Sequence, residues 1–153
     1  MKTKALNRMA DYCSKAERCT DDVRRKLAHY ELTDEERNEI IAWLTKERFV
    51  DDARFAQLYA RDKARFNGWG PQKIRCQLIG KHISSEIISM ALDELNVEEQ
   101  TDKLKSLLET KARSIKHDDP WKRRTQLIRF GLSRGFDYES VVRALPKDIP
   151  DTD

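Results

Sequence analysis

Glycine, proline and cysteine are all scarce in this chain, and each shortage argues against a class of structure. Five glycines and four prolines among 153 residues, with few runs of β-branched side chains, favour helices over sheet. The three cysteines, Cys13, Cys19 and Cys76, form no C-x-x-C pair, so neither a disulfide framework nor a zinc site is supported. No apolar run is long enough to span a membrane and the chain begins without a signal peptide. We therefore expect a soluble cytoplasmic protein with no membrane partner.

Residues that carry catalysis or bind metals are equally scarce. His29, His82 and His117 are scattered along the chain without H-x-x-x-H spacing, and no G-x-S-x-G, phosphate-loop or dinucleotide-binding motif is present. The adjacent carboxylates of Asp51 and Asp52 are compatible with a magnesium-dependent nuclease, but their place at a predicted helix start favours helix capping. We therefore expect no catalytic residue, no metal, no cofactor and no enzymatic activity.

Charge is abundant and is segregated by segment. Charged residues make up 37% of the chain and apolar residues 39%, with a net charge of only +3. Residues 61–81 nevertheless hold six Lys or Arg against one acid, and residues 122–134 hold five against none. Acids dominate residues 31–52, which hold eight, and residues 93–102, which hold five. Such segregation indicates a binding face for a polyanion or an acidic protein groove, although a solvated surface remains the alternative.

A cap, a helix, a break and a second helix follow one another in the middle of the chain. Asp51 and Asp52 are suited to the start of a helix, where a carboxylate accepts hydrogen bonds from first-turn amides. Gly68-Trp69-Gly70 ends this helix, and Pro71 suits the first position of the next. The helical spacing of the apolar residues on both sides of the break predicts two amphipathic helices.

The same apolar pattern recurs along the chain. A shift of 51 residues matches five apolar positions without a gap, and a further shift of 53 matches four. The first shift pairs Val23, Leu27, Leu32, Ile41 and Leu44 with Ile74, Leu78, Ile83, Leu92 and Leu95, and the second pairs Ile74, Ile83, Ile88 and Leu92 with Leu127, Phe136, Val141 and Leu145. Leu78 falls on Gly131, which predicts a weakened core site that Phe130 and Leu132 compensate.

We therefore predict an all-α protein, an elongated, curved tandem array of three three-helix repeats. The predicted repeats are residues 4–50, 51–100 and 101–146, followed by a flexible tail at 147–153. A unit of about 50 residues buries little surface alone, which is why we expect the repeats to chain together.

Further helix starts are predicted from capping signals. The first helix is expected from about Lys4 to Glu17, and Thr20 is the expected N-cap of the second. Thr33 and Glu36 fit a capping box at the third. Asp118-Asp119-Pro120 provides an acidic cap followed by proline at the first position of another helix.

The basic helices are the candidate binding surface. Arg24 and Arg75 occupy equivalent repeat positions, so guanidinium groups of successive repeats could form a stripe. The candidate contacts are Arg24, Arg25, Lys26, Lys73, Arg75, Lys81, Lys122, Arg123, Arg124 and Arg129. Trp69 and Trp121 lie beside prolines next to basic stretches, where they could stack on bases or pack against the joint between helices.

Two motifs in the central segment, and a third near the end, resemble the RecX family of bacterial recombination regulators. Asp51-Asp52-Ala53-Arg54-Phe55-Ala56 resembles its D-D-x-R-F-A motif, and the stretch from Gly70 to Leu78 resembles G-P-x-x-I-x-x-x-L. Arg134-Gly135-Phe136 resembles a late R-G-F, and the resemblance covers residues 5–145. The motif residues are Asp51, Asp52, Arg54, Phe55, Gly70, Pro71, Ile74, Leu78, Gly135 and Phe136. Glu31-Leu32 and His82-Ile83 depart from the family's usual G-F or G-I.

The resemblance implies a function as well as a fold. It implies tandem three-helix repeats that bind in the groove of RecA–DNA filaments and inhibit the recombinase, ATPase and coprotease activities of RecA. It thereby implies a regulator of homologous recombination and DNA repair in the SOS response. Some family members are implicated in DNA binding, so single- or double-stranded DNA is a second expected partner. The alternative is an architectural DNA-binding protein that acts without RecA. We expect a monomer.

The predicted architecture can be tested in solution. Three chained helical repeats should give a far-ultraviolet circular dichroism spectrum dominated by helix. They should also give a radius of gyration well above about 15 Å, the value for a compact globule of this length. Small-angle scattering measures the second quantity, and a value near that of the globule, or a substantial β signal, would contradict the prediction.

Overall fold

The computed structural model describes residues 2–116 and 118–151, and this part of the chain contains nine α-helices and no β-strand. The helices are α1 (Lys2–Lys15), α2 (Thr20–Leu27), α3 (Asp34–Lys46), α4 (Asp52–Phe66), α5 (Pro71–Gly80), α6 (Ser85–Asp93), α7 (Val97–Ser114), α8 (Pro120–Ser133) and α9 (Tyr138–Arg143). The all-helical prediction is confirmed. His117 and the last two residues of the predicted tail lie outside the described residues.

Most of the predicted helix starts are found in the structure. The Thr33 hydroxyl accepts the Glu36 amide at 3.1 Å and the Glu36 carboxylate accepts the Thr33 amide at 2.9 Å, which is the predicted capping box. Pro71 and Pro120 each occupy the first position of a helix, and Asp119 caps α8 by accepting the Trp121 amide at 2.9 Å. These starts depend on local hydrogen bonds, which explains why local sequence signals find them.

Three helices have boundaries that differ from the prediction. Helix α1 begins and ends two residues early, at Lys2 and Lys15. Thr20 is the first residue of α2 rather than its cap, because the Asp22 carboxylate accepts the Cys19 amide at 3.1 Å and so places the cap at Cys19. Helix α7 begins at Val97, four residues before the predicted start of the third repeat, because the Asn96 side chain accepts the Glu99 amide at 3.0 Å. The predicted repeat boundaries themselves stay a prediction.

The described residues form two compact units. Unit I takes the chain up to Leu58 together with Leu78–Ala91, and unit II takes Tyr59–Gln77 together with residues from Leu92 onward. A core cluster in unit I consists of Ala5, Met9, Cys13, Val23, Leu27, Ile40, Ile41, Leu44 and Val50. A core cluster in unit II consists of Leu104, Leu108, Ala112, Ile115, Leu127, Ile128, Phe136, Val141, Ala144 and Ile149.

The buried positions follow the predicted apolar periodicity. Val23, Ile74 and Leu127, which the repeat shifts superpose, are all fully buried. Leu27 and Leu78 are fully buried as well. Since a Leu→Ala change at such sites costs about 2–5 kcal/mol, these positions account for a large share of the stability.

The equivalent position in the third repeat, Gly131, differs from the expectation of a weakened core site. Gly131 is buried in α8, and a Cβ atom added there would lie 2.6 Å from Cγ2 of Val141 on α9. The absence of a side chain therefore lets α8 and α9 approach closely. Phe130 packs against the core as expected, but Leu132 is exposed and does not compensate.

The chain beyond α9 is packed at least as far as Pro150. Ile149 is buried in the core of unit II, and the Pro150 carbonyl accepts a hydrogen bond from Arg124 Nε at 3.1 Å. A frayed tail from residue 147 would make neither contact, so the predicted flexible tail is corrected for these residues.

His82 has a positive φ, as does the glycine at the equivalent repeat position. His82 has φ +60°, and Gly135, which lies 53 residues later at the matching repeat position, has φ +99°. The left-handed region is unfavourable for a residue with a Cβ atom. The His82 imidazole Nδ1 lies 3.0 Å from Asp21 Oδ1. This contact holds the side chain of a residue that departs from the glycine usual at this joint.

A substitution of Gly131 tests the close packing of α8 against α9. Gly131→Ala adds a methyl group inside the contact distance of Val141 and should lower the free energy of unfolding by about 1–3 kcal/mol, as overpacking does. This loss should outweigh the helix propensity that alanine gains over glycine. Denaturant unfolding measures the change.

The double variant Gly131→Ala/Val141→Ala is the matched control. Removing the Val141 methyl groups should relieve the clash. The sum of the losses in unfolding free energy of the two single variants should therefore exceed the loss of the double variant by about 1 kcal/mol or more. Additive losses would show that Gly131 and Val141 are not coupled through packing.

Candidate functional site

The two carboxylates of the first motif cap helices in unit I. Asp51 Oδ1 accepts the Arg54 amide at 3.0 Å and so caps α4. Asp52 Oδ1 accepts the Thr20 amide at 2.7 Å, and it therefore serves the first turn of α2 instead of its own helix. Both motif carboxylates are engaged by backbone donors, which supports helix capping. Among the described residues, no group of three or more His, Cys, Asp or Glu side chains converges to hold a metal ion.

The arginine and the phenylalanine of this motif also make structural contacts. Arg54 Nε lies 2.6 Å from Glu17 Oε1, and its terminal nitrogen donates to the Arg48 carbonyl at 3.1 Å. Arg48 has φ +62°, so this hydrogen bond supports a left-handed residue in the turn between α3 and α4. Phe55 is buried, with the Lys81 ammonium 5.6 Å from its ring centroid. The first motif therefore builds unit I.

The second and third motifs contact each other through their backbones in unit II. The Gly70 amide donates to the Arg134 carbonyl at 2.7 Å, and the Gln72 amide donates to the Gly135 carbonyl at 2.9 Å. A Cβ atom added to Gly70 would lie 2.4 Å from the Gly135 carbonyl oxygen, and one added to Gly135 would lie 2.4 Å from Lys73 Cβ. We call this contact the glycine clasp. Sequence reasoning noted both motifs but had no local signal that they meet.

The candidate cations of α2 are all exposed. Arg24 donates to the Asn38 side chain at 3.1 Å, and Lys26 lies 5.0 Å from the centroid of the Tyr12 ring. Arg25 Nε forms an ion pair with Asp21 at 2.9 Å. None of these contacts buries the cationic head, so unit I presents three exposed basic groups on consecutive residues of one helix.

The candidate cations of α5 and the turn after it are more engaged. Lys73 Nζ lies 4.8 Å from the centroid of the Trp69 ring, and Arg75 is half-buried. Lys81 forms an ion pair with Asp22 at 3.2 Å. Burial would raise the pKa of Asp22, but the Cys19 amide and the Lys81 ammonium outweigh it and hold the pKa below its usual value. Lys81 therefore stabilises a helix cap.

Helix α8 divides its four candidates into two kinds. Lys122 and Arg129 are exposed, as expected. Arg123 instead donates to the carbonyls of Ile115 and Ala112 at 3.1 and 3.2 Å, where it satisfies the end of α7.

Arg124 corrects the prediction of a surface contact, because only 8% of the residue is exposed. Its Nε donates to the Pro150 carbonyl, and one terminal nitrogen is buried without a partner. The sequence carries a signal for this burial that the prediction did not use. Arg124 lies three, four and seven residues before Leu127, Ile128 and Gly131, and so shares the buried face of the helix.

Trp69 belongs to a cluster of aromatic and basic side chains in unit II that the candidate set covered only in part. Its ring meets that of Tyr59 edge-on, with centroids 6.4 Å apart. Lys63 Nζ lies 4.9 Å from the Trp69 centroid and 5.4 Å from that of Tyr59. Since Lys73 also contacts Trp69, the half-buried indole is surrounded by side chains of its own unit, which agrees with the packing alternative.

The cysteines offer no activated nucleophile within the described residues. Burial raises the pKa of the Cys19 thiol to about 11 and also raises the pKa of Cys13, so both remain protonated at neutral pH. Cys76 is exposed. The thiols therefore give no second candidate site beside the basic surface.

Comparison with known proteins identifies the family. The family model for the second three-helix domain of RecX matches residues 51–92, and the model for the third three-helix domain matches residues 98–145. The chain belongs to the RecX family. The match to the second domain contains the first two motifs, and the match to the third domain contains Arg134-Gly135-Phe136. The glycine clasp therefore joins two matched RecX domains.

Individual RecX proteins agree with this assignment. The chain is 32% identical over 134 residues to the regulatory protein RecX of Oceanobacillus iheyensis, covering 88% of this chain and 49% of that protein. It is 31% identical over 129 residues to the RecX of Clostridium perfringens, covering 81% and 60%. The chain thus spans about half to three fifths of the length of these relatives.

A solved RecX structure shares the fold. The crystal structure of RecX from Lactobacillus salivarius superposes with a TM-score of 0.86 at 25% identity, covering 94% of this chain and 93% of that one. The likeness confirms the predicted architecture of three-helix RecX repeats. In the ranges that the structure describes, no helix combines the length and apolar character needed to cross a bilayer.

The glycine clasp can be tested by adding single methyl groups. Gly70→Ala and Gly135→Ala should each lower the free energy of unfolding by about 2 kcal/mol or more, because the new Cβ atom meets backbone atoms that cannot rotate away. Gly135→Ala adds the strain of its positive φ. Thermal or urea unfolding measures both losses.

Gly80→Ala is the control for these substitutions, since a Cβ atom there meets nothing within 4 Å. This variant should be as stable as the unmodified protein or more stable by up to about 1 kcal/mol. If all three variants unfold alike, the close approach of the two glycine segments is not what stabilises unit II.

Proposed function

We propose that this protein regulates homologous recombination and DNA repair by binding the groove of the RecA filament and inhibiting the recombinase, ATPase and coprotease activities of RecA. The observation that carries the proposal is membership of the RecX family, whose curated members named above are regulatory proteins. In this proposal the protein acts in the cytoplasm as a monomer, without a cofactor, and as a binding protein rather than an enzyme.

The exposed positive charges of the chain support the proposal. Unit I presents Arg24, Arg25 and Lys26, and unit II presents Lys122 and Arg129. A filament that contains DNA offers anionic surfaces to both groups, and exposed basic groups attract such surfaces over a distance that salt limits. Two weak contacts in one chain strengthen each other through effective concentration. A chain of this design gains affinity when one filament offers repeated sites.

The predicted repeat organisation, three repeats ending near residues 50, 100 and 146, suits this mode of binding. A protein of consecutive small units can follow a helical groove and contact more than one RecA protomer. Lodged there, it would obstruct both strand exchange and the protomer motions that accompany ATP turnover. Inhibition is then expected well below one molecule per RecA, because one bound molecule can stop filament growth beyond it.

The test is a titration of the full-length protein into the cognate RecA on single-stranded DNA. Both ATP hydrolysis and strand exchange should fall at substoichiometric dose. Charge reversal of two exposed cations, Arg24→Glu/Lys26→Glu, should raise the inhibitory concentration severalfold, because attraction to the filament becomes repulsion.

Lys105→Glu/Lys147→Glu is the matched control, since it changes net charge equally at exposed lysines outside the candidate set. It should leave inhibition nearly unchanged. Equal losses in both variants would mean that net charge alone matters. No inhibition by the full-length protein at equimolar dose, together with tight binding to bare DNA, would favour the architectural DNA-binding alternative.

A further inference from the structure

Arg124 is the one charged residue that is buried in the part of the chain that the structure describes, with 8% of the residue exposed. It lies on the face of α8 that also carries the buried Leu127 and Gly131. A guanidinium stays protonated in proteins, so it cannot avoid the cost of burial by losing its charge. Because burying an unpaired charge is costly, buried charges in proteins are paired with a counter-charge. The structure therefore raises the question of what pairs with Arg124.

The guanidinium of Arg124 has one hydrogen-bond partner among the described residues. Its Nε donates to the Pro150 carbonyl at 3.1 Å, and a carbonyl carries no net charge. Within the same part of the chain, the terminal nitrogen Nη2 is buried without an acceptor, and Nη1 donates to no protein atom. Most of the N–H donors of this group are therefore without an acceptor.

The carboxylates in the segments around Arg124 do not supply the counter-charge. Asp148 and Asp151 lie in the segment after α9 that contacts Arg124, yet both are exposed and neither forms an ion pair with it. The carboxylate of Asp119, at the start of α8, accepts the Trp121 amide instead. The positive charge of Arg124 is thus buried in unit II without a negative charge beside it in the described residues.

The neighbouring Arg123 differs in this respect. Its two terminal nitrogens donate to the carbonyls of Ile115 and Ala112 at 3.1 and 3.2 Å. In Arg124 the same two nitrogens have no acceptor among the described residues. These nitrogens form the planar fork that the oxygens of a phosphate or a carboxylate match in a bidentate pair. The geometry and the charge of the unsatisfied group therefore both fit an oxyanion.

We propose that Arg124 binds a small free oxyanion of the size of inorganic phosphate through its two terminal nitrogens. The bidentate pair would give both nitrogens an acceptor and neutralise the buried charge. The anion is small because the residue is buried and because the segment that ends at Pro150 packs against it. A phosphate within a nucleic acid carries a sugar on each side, which does not fit a shielded site.

This inference goes beyond the proposed function and needs neither RecA nor DNA. Its first test is equilibrium dialysis of the full chain against radiolabelled inorganic phosphate. The unmodified protein should bind about one phosphate per chain, since Arg124 offers one such fork. Arg124→Met keeps a side chain of similar length without the charge and should bind at least about tenfold more weakly. Arg124→Lys keeps the charge without the fork and should also lose affinity.

Arg123→Met is the matched control, because it removes a neighbouring guanidinium whose terminal nitrogens already donate to carbonyls. This variant should bind phosphate like the unmodified protein at a temperature where it is folded. An oligothymidylate with the same concentration of phosphate groups should not displace the bound phosphate.

Thermal unfolding gives a second measurement. At a phosphate concentration about ten times the dissociation constant, the Tm of the unmodified protein should be about 3–5 °C higher than in sodium chloride of equal ionic strength. Arg124→Met should lack this increment, whereas Arg123→Met should retain it. Because phosphate also stabilises proteins generally, the difference between these two variants isolates the contribution of the site.

Saturable phosphate binding that persists in folded Arg124→Met would overturn the inference, and so would the lack of such binding by the unmodified protein. If the unmodified protein binds no phosphate and Asp148→Asn/Asp151→Asn lowers the Tm, a carboxylate of the chain itself is the counter-charge. Displacement of phosphate by oligothymidylate would overturn the claim of a shielded site for a small anion. None of these outcomes bears on inhibition of RecA, so the proposed function stands or falls separately.

Discussion

Unit II depends on a place where two stretches of backbone touch with no side chain between them. The amides of Gly70 and Gln72 donate to the carbonyls of Arg134 and Gly135, so a segment from the middle of the chain is joined to one near its end. Backbone contact at this distance leaves no space for Cβ atoms. The loop before α5 and the turn after α8 are thereby fixed to each other. The same contact lies at the start of α5 and at the end of α8.

In unit I, carboxylates hold the starts of helices in place. Asp22, Asp51 and Asp52 each accept a backbone amide near the start of a helix, and Asp52 does so for a helix that it does not belong to. Acidic residues are common in this chain. Those with a structural role are recognised by the backbone amides whose hydrogen bonds they accept. The acidic pair that suggested a nuclease and the lysine that suggested a DNA contact, Lys81, are both occupied in holding helices together.

How much of this could be predicted depended on the range of the interaction. Periodicity found the buried stripe of Val23 and Ile74, and capping signals found the starts at Thr33 and Pro71, because these features are set within one or two turns. The glycine clasp joins positions far apart in sequence, which no local pattern records. At the candidate site, Lys122 is exposed, and its role as a binding contact stays a prediction. Arg124 was mistaken for a surface residue because its charge was weighed above its helical phase.

The glycine clasp has a consequence for how the chain is made. Residues 59–77 leave the ribosome before any of their partners in the last third of the chain exist. Gly135 follows residue 77 by about 60 residues, which takes roughly 3–12 s at typical rates of synthesis. During that interval the loop before α5 and the start of α5 lack the hydrogen bonds to the carbonyls of Arg134 and Gly135. The last segment of unit I ends at Ala91, so unit I can complete its packing first. The two units can therefore fold one after the other during synthesis.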